Sequence, residues 1–295
     1  MIAAMAVPRS VVKDYVALTK PPIISLLLVT ALGGMFLAAR GAPDLSLVLL
    51  VLGGGALAAG GANALNHYLD RDIDARMRRT RNRPVAVGRI RPHEALVFGI
   101  ALNVVAVVIL TTWVNALSAG LTLGATLFYA LVYTKGLKRS SPHNIVIGGA
   151  AGAIPPMVGW VAVTGHVGLP ALYMFAIVFF WTPPHFWALS LLLKDDYARA
   201  GIPMLPVVAG IDKTKKAIFL YAWLLVALTV MFAASGSVGW IYLTAATILG
   251  AVFIWYSWRL LRRPNIEGAK TLYLYSLLYL ALLFLTITID SSVAI

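Results

Sequence analysis

Nine apolar stretches, each long enough to cross a bilayer, constrain this chain more than any other feature. They cover residues 22–39, 46–66, 95–113, 117–133, 145–163, 171–193, 217–234, 240–260 and 272–289. A spanning helix needs about 17–25 mostly apolar residues. Inside lipid every backbone N–H and C=O must be satisfied within the protein, which favours helices of this length. The chain is 60% hydrophobic and 12% charged, with a mean hydropathy of +0.86. No water-soluble domain of 295 residues has that balance. The expectation is an all-α, polytopic membrane protein with nine transmembrane helices in a single domain over residues 1–295. The fourth stretch is the shortest and runs on from the third through Asn115, which predicts a tight hairpin. Residues 1–19 lack a small-residue cleavage site and are too poor in arginine for a transit peptide, so the first helix is expected to be retained.

The charge pattern predicts an orientation. Of the 24 lysines and arginines, 23 fall before the first stretch or between the second and third, fourth and fifth, sixth and seventh, or eighth and ninth; Arg40 alone lies on the other side. By the positive-inside rule the loaded face is cytoplasmic, with the N-terminus inside and the C-terminus outside. The net charge of +13 then reports topology in the lipid bilayer, and no nucleic-acid partner is expected. The chain has no cysteine, which excludes iron–sulfur clusters, thiolate-ligated haem and disulfides.

The basic face also carries most of the acids. Between Asn66 and Pro84, Asn66, Asp70 and Asp74 recur every four residues, followed by a run of arginines. Each step of four turns a helix through about 400°, so the three share one face, with Asn63 beside them and Asp72 turned away. Oxygen ligands stacked in this way suit Mg²⁺, which takes one or two carboxylates and completes its shell with water and phosphate oxygens. Arg81 and Arg83 suit the phosphates themselves. A second acidic cluster, Asp195 and Asp196, follows the sixth stretch as the first follows the second. The separation of four spans hints at duplicated four-helix units over about 22–133 and 145–260, plus a ninth helix. Two acidic clusters facing each other over a bundle would make a site for a magnesium-bound diphosphate.

Three further features bear on function. Pro183-Pro184 is expected to break the sixth span and aim His185 inward, and an ionisable side chain within a span is a candidate for function. The small residues from Gly148 to Ala153 suggest close helix packing. Lys135 and Lys138 offer cations near the acidic face, either as phosphate ligands or as topology determinants.

From Asn66 to Asp74 and from Thr80 to Pro84 the chain resembles the intramembrane aromatic prenyltransferase superfamily. Asn144 to Pro156, Trp181 to Trp187 and Asp196 to Pro206 resemble its haem-farnesylating branch. The resemblance implies nine helices around a membrane-open central cavity in the inner membrane of a bacterium. It implies that farnesyl diphosphate, bound through Mg²⁺, gives its farnesyl group to a vinyl carbon of haem B. It implies that Asn66, Asp70 and Asp74 hold metal and diphosphate and that a second acidic motif falls near Asp195 and Asp196; the chain's own Arg81, Arg83, Lys135 and Lys138 are the candidate cations for the diphosphate, and a haem A synthase is a candidate partner. Asp195 and Asp196 lack the Asp-x-x-x-Asp spacing of the wider superfamily, which leaves the second metal site open. His185 is assigned to the acceptor, with iron ligation slightly favoured over a proton role. Two alternatives remain: a prenyltransferase acting on a quinone precursor such as 4-hydroxybenzoate, and an ion-coupled transporter. A transporter would place its acids at mid-span rather than at one face.

Overall fold

The computed structural model describes residues 10–293. Arg9, counted above among the basic flanks, and the start of the N-terminal segment lie outside the described residues. Nine helices among the described residues are long and apolar enough to span a bilayer: α1 (Pro21–Ala39), α2 (Leu45–Leu69), α3 (Pro92–Trp113), α4 (Ala116–Ser140), α5 (Asn144–Thr164), α6 (Leu169–Leu192), α7 (Ile211–Ala234), α8 (Trp240–Arg262) and α9 (Ala269–Val293). The described residues include no strand. The chain is a multi-pass membrane protein.

Local chemistry sets the helix ends. Pro21 and Pro22 start α1, where a missing N–H costs nothing. Asp44 and Asn115 cap α2 and α4 by accepting the backbone N–H of Leu47 and Ser118. Asn115 also donates to the Val161 carbonyl at 3.0 Å, fixing the α3–α4 hairpin against α5.

Several helices outrun their apolar windows on the basic face. Helix α3 begins at Pro92 rather than 95, α7 at Ile211 rather than 217, and α4 continues to Ser140 rather than 133. Lysine and arginine stems lie along apolar surface while their heads reach water, so the polar turns remain helical. The fourth span, expected to be the shortest, is therefore among the longest. Its segment Phe128–Leu137 is π-helical, a wider winding that is concentrated at functional sites. Helix α6 runs unbroken through Pro183 and Pro184. The expected interruption is absent because neighbouring helices bury both prolines, and membrane helices accommodate proline where packing re-satisfies the freed carbonyls.

The helices pack in sequence order into a closed circuit, α9 returning to α1, while α1 crosses to α5 and α6 to α9. The α1–α5 crossing is a backbone contact. A Cβ on Gly34 would sit 2.2 Å from the Pro156 carbonyl oxygen, and one on Gly159 2.0 Å from that of Ala31. Both positions lie in the half of the bundle remote from the acids. Nearer the acids, Gly148 admits the Tyr133 ring and Gly149 touches Thr182, whereas Gly152 faces open space. On the basic face a short helix, Val11–Thr19, lies at the surface with Val11, Val12 and Val16 exposed and Asp14 and Leu18 buried.

Candidate active site

The first acidic motif straddles a helix end. Helix α2 stops at Leu69, Asp70 caps it, and a short helix, Arg71–Arg76, follows. The register survives because the Asp70 N–H donates to the Asn66 carbonyl at 2.9 Å and the Asp74 N–H to that of Asp70 at 2.7 Å. Asn66, Asp70 and Asp74 are all buried, at 4%, 0% and 2% exposure. The Asp72 side chain is 49% exposed and pairs with Arg139. That guanidinium, hydrogen-bonded to both carboxylate oxygens, draws the Asp72 pKa down to about 2. Asn63 does not join the acids; its Nδ2 donates to the Thr19 carbonyl at 2.8 Å and ties α2 to the surface helix.

Cations converge on the buried group from three parts of the chain. Lys20 Nζ donates to Asn66 Oδ1 at 2.9 Å, Lys138 pairs with Asp70, and Arg83 Nη1 lies 2.8 Å from both oxygens of Asp74. Asn66 Nδ2 donates to Asp70 Oδ2 at 2.7 Å and to Thr134 Oγ1, on the π-helical part of α4, at 3.3 Å. Lys20 has left-handed backbone (φ 55°), uncommon for a residue with a Cβ, at the joint between the surface helix and α1. Burial, with Arg83 and Lys138 nearby, holds its ammonium well below the ordinary lysine range. Lys20 and Thr134 were not among the predicted ligands. The lone lysine before Pro21 reads as a topology charge, and only the fold brings it to Asn66.

The arginine-rich loop closes over this group. Thr80 Oγ1 donates to the Asp74 carbonyl, and Arg89 Nε to Asp14 Oδ2 at 2.9 Å. Underneath, Ile73 and Met77 pack with Tyr133, Ile145, Tyr197 and Met204. The second cluster is split. Asp196 is buried, accepts the Arg79 backbone N–H at 3.3 Å and pairs with Arg199. Asp195 is exposed, since the next residue of the short helix Lys194–Arg199 takes the inward side. The expectation of two facing acidic clusters is thus corrected to one inward acid that braces the first loop. Arg81 and Lys135 are also exposed, with no side-chain partner among the described residues, so the structure leaves both outside the buried group.

His185 lies elsewhere, between α6 and α9. Its ring stacks on Trp181 at 4.2 Å and on Tyr273 at 5.0 Å, and Nδ1 meets Ser276 Oγ at 2.6 Å. Trp181 Nε1 donates to the Ser276 carbonyl, so the same turn of α9 fixes both rings. Nε2 has no hydrogen-bond partner among the described residues.

The described residues contain no ready-made cluster of three or more His, Cys, Asp or Glu for a metal ion. The donor set still fits Mg²⁺ arriving with a phosphate. Asp70 Oδ1 is buried and lacks a hydrogen-bond partner, an orphan that a hard cation would satisfy.

This arrangement, buried acids already matched by cations at one face of a nine-helix bundle, is suited to gripping a metal–diphosphate while its apolar tail stays among helices. The chain belongs to the UbiA prenyltransferase family, whose profile matches residues 27–286. Curated relatives named protoheme IX farnesyltransferase include those of Roseiflexus sp. (strain RS-1), 52% identical over 95% of this chain and 53% of that protein, and of Symbiobacterium thermophilum, 51% identical over 95% of this chain and 94% of that protein. The chain spans about half the length of the Roseiflexus relatives it matches. Among solved structures it is similar to a digeranylgeranylglyceryl phosphate synthase (20% identity, 95% of this chain and 98% of that one, TM-score 0.79) and to a UbiA homolog from Archaeoglobus fulgidus bound to GPP and Mg²⁺ (19% identity, 93% and 99%, TM-score 0.67). At these identities the solved structures establish the fold.

Proposed function

We propose that this protein transfers the farnesyl group of farnesyl diphosphate to a vinyl group of haem B, consuming one water and giving haem O and diphosphate. The observation that carries the reading is the identity of about half of all residues, over nearly the whole of both chains, with relatives named for that activity. Asp70 and Asp74, with Asn66 beside them, would hold Mg²⁺, which polarises diphosphate oxygens and stabilises a developing leaving group. Lys138 and Arg83 would move from the carboxylates, and Lys20 from the Asn66 amide oxygen, to the phosphates, and Arg83 brings a planar fork suited to them. The breaking C–O bond leaves an allylic cation, and the electron pair of the vinyl double bond captures it. Water then adds to the cation left on the acceptor and loses a proton. The apolar layer beneath the loop, Ile73, Met77, Tyr133 and Tyr197, would keep bulk water from the first cation. His185, with Nε2 free of protein partners, would position the acceptor from the α6–α9 side.

The same reading places the protein in a bacterial cytoplasmic membrane with its basic face inward. Incubation of the purified protein with haem B, farnesyl diphosphate and Mg²⁺, followed by mass analysis, tests it. Conversion of a haem vinyl group to hydroxyethylfarnesyl, a gain of one farnesyl group and one hydroxyl, supports the assignment. Unchanged haem, with prenylation of a quinone precursor instead, overturns it.

A further inference from the structure

A cavity of about 500 Å³ lies beside the acidic group, between the surface helix and the arginine-rich loop. Lys13, Lys20, His67, Arg79, Arg83 and Arg89 line it, together with Asn82 and Asp14. Asp14, the only acid in this wall, is already bound by Arg89. His67 is 2% exposed, and neither ring nitrogen has a hydrogen-bond partner among the described residues. A neutral imidazole keeps one N–H donor, and a buried donor without an acceptor is rare in folded proteins. The cavity is therefore rich in donors and short of acceptors. Two of its lining residues also belong to the buried motif: Lys20 bonds the amide oxygen of Asn66 and Arg83 bonds the Asp74 carboxylate. An anion in the cavity can therefore meet the same two cations that now bond Asn66 and Asp74.

We propose that this cavity is a second anion subsite, a vestibule that takes a diphosphate group directly on Lys13, His67 and the arginines without a metal ion. The diphosphate released by the reaction would move behind Lys20 and Arg83 and leave to the aqueous phase beneath the surface helix. The choice of diphosphate as ligand rests on the prenyl-transfer reading; the subsite itself rests on the cavity, its excess of cations and the unpartnered histidine.

The test uses the full chain in phosphatidylcholine nanodiscs with radiolabelled inorganic diphosphate and excess chelator, so that metal-bridged binding is absent. Saturable binding of one equivalent is expected, weakened about tenfold or more in Lys13→Gln and in His67→Phe, the scale of one charge-assisted hydrogen bond. Lys13 is exposed, so Lys13→Gln should fold, and unchanged Mg²⁺-dependent binding of a farnesyl thiodiphosphate analogue would confirm it. No chelator-resistant binding in the parent, or undiminished binding in both variants, would overturn the proposal. Phosphatidylglycerol nanodiscs provide a second arm: unchanged diphosphate affinity supports a site for the free anion, and competitive loss would reassign the pocket to a lipid headgroup and overturn it. A protein that fails to farnesylate haem yet binds diphosphate in this way would separate the failure of the activity from that of the subsite.

Discussion

Asp70, Asp72 and Asp74 show burial separating three acids that composition treats alike. Asp70 and Asp74 are enclosed and matched by Lys138 and Arg83, while Asp72 faces water and holds Arg139. Asp70→Asn and Asp74→Asn should lower kcat/KM by about 10²–10³-fold, the scale of losing one main electrostatic contact to the transition state. Asp72→Asn should retain most activity, and equal losses in all three would refute a one-face site. Arg83→Lys keeps the charge but loses the planar fork, so the KM for farnesyl diphosphate is expected to rise by about tenfold. Arg81→Lys, altering an exposed side chain, should behave as the parent in the same assay. His185→Phe preserves ring packing against Trp181 and Tyr273 but removes both nitrogens. Haem titration should show weakened binding and an altered absorbance spectrum, with prenyl diphosphate binding intact. Unchanged haem affinity would reduce His185 to a packing residue.

Among the elements, α1 and α5 make the tightest approach. Gly159→Leu would drive a side chain into the Ala31 carbonyl and force the helices apart, at about 1–3 kcal/mol for overpacking. A lowered unfolding temperature in detergent is expected, while Gly152→Ala, which meets open space, should match the parent. The existence of the nine helices was legible in the sequence because each apolar run is long and the basic residues alternate between loops. Their ends were less so, since a window of hydropathy stops where snorkelling lysines begin. The register of Asn66, Asp70 and Asp74 was legible because a period of four survives the change of helix at Asp70. Which of Arg81, Arg83, Lys135 and Lys138 turns inward was not, because composition is the same on both sides of a loop and only packing decides. Lys20, 46 residues from its partner Asn66, carries no local signal at all.

For the whole molecule, the distribution of charge predicts an orientation that the lack of cysteine makes easy to test. Lys135→Cys and His166→Cys each introduce the only thiol in the chain, on opposite faces. In intact cells an impermeant thiol reagent should label position 166 and spare position 135; the reverse pattern would invert the assigned topology. The contacts that prepare the acids also have a history during synthesis. Asp70 and Lys138 are 68 residues apart, with all of α3 and most of α4 between them. As the chain emerges, α2 arrives with a carboxylate that has no cation from α4, and both the burial of Asp70 and its pairing wait for later helices. Delivery of the basic end of α4 ends that condition. The Asp70–Lys138 pair therefore records that α4 is in place: it closes only when the basic end of the fourth helix has come back beside the end of the second.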